Sequence, residues 1–444
     1  MKIFKYGDVH KSILKLALPA IAGSITQMIV SLVDAAMVGR LENAEYYLAA
    51  MGLGVLATWA LVSFFSSLAT GTHVVIARRF GEDDPRGCGN ALNTSLVISI
   101  LIGIVVSFLG VVFAFQIAHF FAVDNLVGQY AGEYLYFRFM GIPFFLLTVS
   151  YRGFFFGIGK THIFMYSGII ANFLNIIFNY IYGMFGIPGM GLAGAGIGST
   201  FATFFDFLFY FIITLQPAYR KRYQLFSHFR FIKEYAINIV KISLPVSLQN
   251  IFILVGFLSF IAITGHIGTV EQAASNIVFS SLLISLMPCF GFGIAVQTLV
   301  GNSLGKGDIE QAKMMGLETS KLATIYTFIA GLIFTIFPQY VLLLLTNDWN
   351  VINTAVPAMR IAGAGQVFYS VGVVLEAAGR TLYVMVAESI LNWFVFVPIA
   401  YLLGVVLDFG IIGAWSALPF YVILYSAVIF IKYYYGDWTT FKKV

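Results

Sequence analysis

An all-α integral membrane protein, with twelve helices in two parallel six-helix bundles, is the fold class this sequence predicts. Three observations carry that reading. The 444 residues are 60% hydrophobic and only 10% charged, whereas soluble domains are about 25% charged. The apolar residues fall in runs long enough to cross a bilayer. The second half of the chain also repeats landmarks of the first.

The runs lie at roughly 12–38, 48–76, 91–117, 129–154, 163–186, 192–214, 238–264, 273–300, 319–345, 351–378, 382–405 and 410–434. Transmembrane β-strands are shorter and alternate in polarity, so a barrel is excluded. The N-terminus is basic (Lys2, Lys5, Lys11, Lys15), but the run behind it is too long for a cleavable signal and holds Asp34. It is read as the first membrane helix. Orientation follows from lysine and arginine. With the N-terminus in the cytoplasm, the cytoplasmic loops carry Arg78, Arg79, Arg86, Lys160, Arg220, Lys221, Arg222, Arg230, Lys233, Lys306, Lys313 and Arg380, and the C-terminus adds Lys442 and Lys443. The opposite loops carry essentially Arg40, which places both termini in the cytoplasm. The net charge of +5 is thus a topology signal and gives no reason to expect a nucleic-acid partner.

The repeat is ordered. Leu18-Pro19 returns as Leu244-Pro245, and Gly39 as Gly265. Gly81-Glu-Asp-Asp84 returns as Gly305-Lys-Gly-Asp308, and Arg138-Phe-Met-Gly141 as Arg360-Ile-Ala-Gly363. Gly159-Lys-Thr161 returns as Gly379-Arg-Thr381, Asn172 as Asn392, and Gly191-Leu-Ala-Gly-Ala195 as Gly410-Ile-Ile-Gly-Ala414. Two halves of six helices, both facing the same way, imply a pseudo-two-fold along the membrane normal. The expected organisation is an N-lobe (1–218, helices 1–6), a basic cytoplasmic linker (219–236) and a C-lobe (237–444, helices 7–12). This is a secondary-transporter plan. No Walker motif points to ATP, and no filter sequence points to a channel. Cys88 and Cys289 have no metal or redox spacing and read as buried thiols.

Asp34 stands inside the first apolar run, where a carboxylate costs about 2.5–3.5 kcal/mol on insertion scales. Such a group is paired, protonated or used. Here the chain resembles the multidrug and toxic compound extrusion (MATE) transporters. The resemblance rests on Leu18-Pro19 with Val33-Asp34 and Val38-Gly39, the Gly81 and Gly305 loops, Gly159-Lys-Thr161, Gly379-Arg-Thr381 and Gly191-Leu-Ala-Gly-Ala195. An acid in the first helix and none in the seventh, where Phe260 is equivalent to Asp34, looks like the DinF-type branch; the C-terminal cation site of the NorM-type branch is expected to be absent. The resemblance implies export of apolar, often cationic drugs or dyes, driven by entry of H+ or Na+, with no other cofactor. It maps the coupling site onto Asp34, Asn175, Asn179 and a hydroxyl at Ser199 or Thr200. It also makes Pro19 the place where helix 1 bends. Many relatives carry Asp at the position of Asn179. With one carboxylate left, H+ is expected over Na+, although Na+ at Asp34 stays open.

Topology brings the same groups to one depth. Asp34 lies near the outer end of helix 1. Asn175 and Asn179 form an i,i+4 pair past the middle of helix 5, with Asn172 three residues earlier. Ser199 and Thr200 sit in the outer half of helix 6. Carboxylate, amides and hydroxyls together suit a proton or hard cation; the plainer reading is that the asparagines only join helices. Asp206, deeper in helix 6, is either a second relay acid or the partner of a cation. Arg138 and Arg360 read as structural. Glu376 and Glu388, on either side of the Gly379 turn, read as a structural pairing near the cytoplasmic face, and Glu133 as complementing the start of helix 4. His73 reads as packing, and His162 and His228 as loop or interface residues. The alternative cargo is a lipid-linked oligosaccharide or related precursor, flipped by the same architecture; the placement of basic residues in loops disfavours it. No catalytic constellation appears at depth, so no enzyme is expected. The expected setting is a monomer in the inner membrane, in contact with lipid.

Overall fold

A computed structural model describes residues 6–41, 44–184, 190–226, 231–368, 372–436 and 438. Every regular element in it is helical: α1 (Tyr6–Val38), α2 (Ala44–Gly81), α3 (Pro85–Phe121), α4 (Asn125–Met140), α5 (Ile142–Gly157), α6 (Thr161–Phe178), α7 (Gly191–Leu215), α8 (Pro217–Arg220), α9 (Lys233–Ile267), α10 (Thr269–Gly305), α11 (Ile309–Ile336), α12 (Pro338–Leu343), α13 (Trp349–Gly365), α14 (Gly372–Ala377), α15 (Thr381–Leu391), α16 (Val397–Tyr401) and α17 (Gly410–Tyr435). Wider π turns follow α6 (Asn179–Met184), α15 (Asn392–Phe396) and α16 (Leu402–Val406). Among the described residues, ten helices are long and apolar enough to span a membrane, and eleven spans result if α4 and α5, bent by 48°, count as one. The remaining predicted run, 351–378, falls on α13 and α14, with 369–371 outside the described residues. His228, Arg230, Lys2, Lys5, Lys442 and Lys443 also lie outside them.

The repeated motifs are turns whose geometry demands those residues. Asp84 caps α3 by accepting from the Gly87 amide at 2.8 Å, and Asp308 caps α11 through the Gln311 amide at 2.9 Å. An N-cap carboxylate satisfies amides that the first helical turn leaves open. Gly159 and Gly379 stand at φ 73° and 79°, a left-handed backbone that a side chain strains, and each closes the turn before a span. A second pair of caps, Asp124 on α4 and Asp348 on α13, holds the Leu126 and Asn350 amides at 2.7 and 2.8 Å.

The chain forms two compact units, Leu18–Leu244 and Met1–Ala17 with Pro245–Lys443. The divisions fall within two residues of Pro19 and beside Pro245, each inside an otherwise continuous helix. Proline removes an amide donor from the helical ladder, which weakens the helix locally.

In the Leu18–Leu244 unit, Phe139, Leu135, Leu146, Ala131 and Leu192 form a buried core. A hydroxyl ladder ties three of its helices: Thr72 on α2 to Ser95 on α3, and Ser95 and Ser99 to Ser150 on α5, all at 2.7 Å. Such interhelical bonds substitute for the hydrophobic driving force that lipid removes. The linker is built onto this unit. Tyr223 and Leu225 are buried, the Ile232 amide donates to Thr94 Oγ1 at 3.2 Å, and the Arg79 guanidinium lies 5.2 Å from the centre of the Tyr235 ring.

In the other unit, Phe260 is fully buried, stacks on Phe396 at 5.1 Å and meets the edge of Trp415 at 5.0 Å. An aromatic core thus fills the place equivalent to Asp34. His10, near the start of α1, bonds Glu318 of α11 at 3.0 Å, and Lys321 bonds the same carboxylate at 2.6 Å.

Candidate functional site

Asp34 ends a chain of polar contacts across three helices of the Leu18–Leu244 unit. Asn179 Nδ2 donates to Asp34 Oδ1 at 2.8 Å and to Asn175 Oδ1 at 3.1 Å. Asn175 Nδ2 donates to Ser199 Oγ at 3.2 Å. Asn175, Asn179 and Ser199 are 6%, 1% and 8% exposed, so water does not compete strongly for these bonds. Helical periodicity explains the contact between the asparagines, because residues four apart stack along one face. At Asn179 the helix widens into its π turn, a distortion that recurs at functional sites.

Three other features shape the site. Gly198 lets α7 approach closely: a Cβ there would meet Asn179 Oδ1 and stand 2.8 Å from the Asn179 amide nitrogen. Arg138 acts on Asp34 through its charge but makes no ion pair with it within 4 Å, and its Nε is buried without a partner. Its counterpart Arg360 is exposed, so the two repeat-related arginines have different surroundings. Among the described residues Asn179 Oδ1 has no hydrogen-bond partner, which leaves an acceptor beside the carboxylate.

The structure separates some residues that sequence grouped together. Ser199 joins the asparagines, whereas Thr200 donates to the Phe137 carbonyl at 2.6 Å. That carbonyl belongs to the last turn of α4, where Gly141 bonds Arg138 and Phe139 instead, so Thr200 satisfies a group freed by the break before α5. Asn172 is half-buried with its Nδ2 unpartnered and joins no bond of the Asp34 chain. Asp206 forms an ion pair with Arg152 of α5 at 3.0 Å. Arg152 also lies 5.0 Å from the Phe164 ring centre, and Tyr210 beside the pair bonds Ser167 at 2.8 Å. Sequence reasoning missed Arg152; the signal was a lone arginine in the same apolar run as Arg138. Pro19 lies inside α1, which runs unbroken from Tyr6 to Val38. His73 is buried with its ring 5.7 Å from Phe156, and Glu133 accepts from Gln129 at 3.3 Å. Cys88 is buried and Cys289 half-buried, both as free thiols.

A multi-pass helical chain with a carboxylate bonded to an amide at the depth of its apolar helices has the pattern of an ion or substrate pathway, as transporters do. Comparison with known proteins specifies which. The MatE family model matches residues 19–181 and again 245–405, once in each half. The chain belongs to the MatE family and is therefore a transporter rather than an enzyme. A probable multidrug resistance protein NorM of Thermotoga maritima is 25% identical over 439 residues, covering 97% of this chain and 93% of that protein. A probable multidrug resistance protein YoeA of Bacillus subtilis is 22% identical, covering 93% and 90%. A MATE crystallised in the straight conformation superposes with a TM-score of 0.88 at 20% identity, covering 96% of this chain and 95% of that one, which shows the shared fold.

Proposed function

We propose that this transporter exports apolar, often cationic small molecules in exchange for a cation, and that Asp34 carries the exchanged ion. The observation behind this is the Asp34–Asn179–Asn175–Ser199 chain, a carboxylate bonded to neutral groups with no ion-paired partner among the described residues. Such a carboxylate changes its hydrogen bonding when it gains a proton. The relatives' names as multidrug resistance proteins support the drug cargo. H+ is favoured over Na+ because the site offers one acid.

The cycle follows from these groups. Protonation of Asp34 from outside removes its charge, and the Asn179 amide loses an anionic acceptor. The weak point at Pro19 then lets helix 1 bend, substrate leaves outward, and the two lobes alternate in access. A proton crossing 100 mV supplies about 2.3 kcal/mol, and each pH unit about 1.4 kcal/mol. The protein sits in the inner membrane as a monomer with both termini in the cytoplasm, in keeping with the one-sided loop charges.

Everted vesicles carrying an imposed pH gradient, with no sodium present, test the proposal. Ethidium or rhodamine is added and collapse of the gradient followed. Collapse with wild type but not with Asp34→Asn is expected. A response only when sodium is supplied moves the coupling ion to Na+. Silence under both conditions contradicts drug export for these dyes.

A further inference from the structure

Among the described residues, Arg138 is the one charge that acts on Asp34, and it forms no ion pair within 4 Å. It stands near the end of α4, just before the break at Gly141, and so midway along the bent span from Asn125 to Gly157. Its side chain is half-buried, and its Nε is buried with no hydrogen-bond partner among the described residues. An ionised side chain at such a depth is costly and marks a substrate or ion path.

Packing fixes where this charge sits. The Phe137 carbonyl accepts from Thr200 at 2.6 Å. A Cβ on Gly196 would stand 2.9 Å from the Tyr134 carbonyl oxygen and 3.3 Å from the Phe137 Cβ. This end of α4 is therefore held tightly on α7, the helix that also supplies Ser199 to the Asp34 chain. Tyr134, one turn before Arg138, is buried and feels the charges of both Arg138 and Asp34, so the three groups share one neighbourhood. The repeat supplies a contrast. In the second half Phe260 stands in place of the acid, and Arg360, the counterpart of Arg138, is exposed. The acid and the inward arginine thus occur together in one half.

The two groups differ in what a proton can do to them. A guanidinium keeps its charge in proteins, whereas a carboxylate is neutralised when it takes up a proton. With Asp34 ionised, the two charges cancel. With Asp34 neutralised, the site carries an uncompensated positive charge. Inside a bundle, away from bulk water, that change acts strongly on a charged ligand. A cation tolerated beside ionised Asp34 is repelled once the proton arrives. An anion meets the reverse field: it is drawn in together with the proton, so proton entry gives it no way out.

We propose that Arg138 sets the charge selectivity of the Asp34 site, repelling cationic cargo when Asp34 is neutral and denying export to anionic cargo. The inference rests on the Asp34 reading above and names the residue that turns neutralisation into release. Arg138 acts through its field and needs no bond to Asp34 or to the cargo.

The test measures dye binding to the full chain in nanodiscs by fluorescence anisotropy. Two rhodamines are compared that differ in one group: a cationic ethyl ester, and the parent dye whose free carboxylate leaves it without net charge. The variants are made in an Asp34→Asn chain, which holds the site in its neutral form. Adding Arg138→Gln is expected to tighten the ester about tenfold and to change the parent dye by less than about twofold. Adding Arg138→Lys, which keeps the charge, leaves both dyes as in Asp34→Asn alone. Arg138→Met keeps the apolar stem and serves where Arg138→Gln does not fold. An unchanged ester affinity, or an equal change for both dyes as a merely structural arginine would give, overturns the proposal. If neither dye binds the wild-type chain, the drug reading falls and this inference with it. Proton flux is read separately in proteoliposomes, so a failure of Asp34 coupling shows there while the charge discrimination by Arg138 is still scored here.

Discussion

Gly198→Ala adds one methyl group, removes no polar atom, and strikes the contact that places Asn179. The added Cβ would stand 2.8 Å from the Asn179 amide nitrogen and 3.0 Å from the Phe178 carbonyl carbon, besides meeting Asn179 Oδ1. The side-chain oxygen can swing away, but the backbone atoms cannot without moving the π turn or α7. Overpacking of this kind costs about 1–3 kcal/mol. The bond from Asn179 to Asp34, at 2.8 Å, has a charged acceptor, and such bonds contribute about 1.5–3 kcal/mol. If the displacement breaks it, a tenfold change per 1.4 kcal/mol gives a loss of roughly 10- to 150-fold in the population with Asp34 correctly bonded. The assay is dye-driven collapse of a pH gradient in vesicles, normalised to the amount of inserted protein. Gly52→Ala is the control, because a Cβ there meets nothing within 4 Å. Transport by Gly198→Ala is expected to fall at least tenfold while Gly52→Ala stays at the wild-type rate. Wild-type transport and thermal stability in Gly198→Ala would refute the argument that close approach of α7 positions Asn179.

Further outcomes follow from the same geometry. Asn179→Asp places a second carboxylate 2.8 Å from Asp34 in place of an amide donor, and transport is expected to become sodium-dependent, which a comparison of sodium and potassium buffers reads directly. Arg152→Leu leaves Asp206 as a buried unpaired charge and is expected to cost about 3–5 kcal/mol, lowering the unfolding temperature; adding Asp206→Leu recovers most of it. Gly89→Ala drives a methyl against the Tyr223 carbonyl, 3.1 Å from its carbon, and is expected to undock residues 219–226 and expose them to limited proteolysis. Burial pushes the Tyr223 hydroxyl up to about 12, so the docked linker favours the neutral phenol. That stabilisation is full below the ordinary tyrosine value of 10.0 and is lost as the pH rises toward the buried value, so cleavage there increases with alkalinity.

Much of the fold was legible because its punctuation is chemical. Asp84 and Asp308 recur since a helix start needs an acceptor, and Gly159 and Gly379 recur since the turn needs a left-handed backbone. The Asn175–Asn179 pair was readable from helical spacing alone. Which of two adjacent hydroxyls faces the site was not: Ser199 and Thr200 point 100° apart on a helix, and only the break before α5 shows why Thr200 is occupied with Phe137. Arg152 and Asp206 are 54 residues apart, and no local pattern joins them. Likewise Glu376 and Glu388 appeared as neighbours of a turn. Their relation to Gln249, more than 120 residues earlier, emerges only once α9 packs beside them.

Exchange of an ion at Asp34 against substrate is the proposed step that drives transport. The direct measurement is antiport in proteoliposomes: substrate moving one way, with proton flux followed by an internal pH dye, for wild type and Asp34→Asn at equal incorporation. Substrate-dependent proton flux is expected in wild type and none in Asp34→Asn, with substrate binding retained in both. Equal proton flux in the two would contradict it.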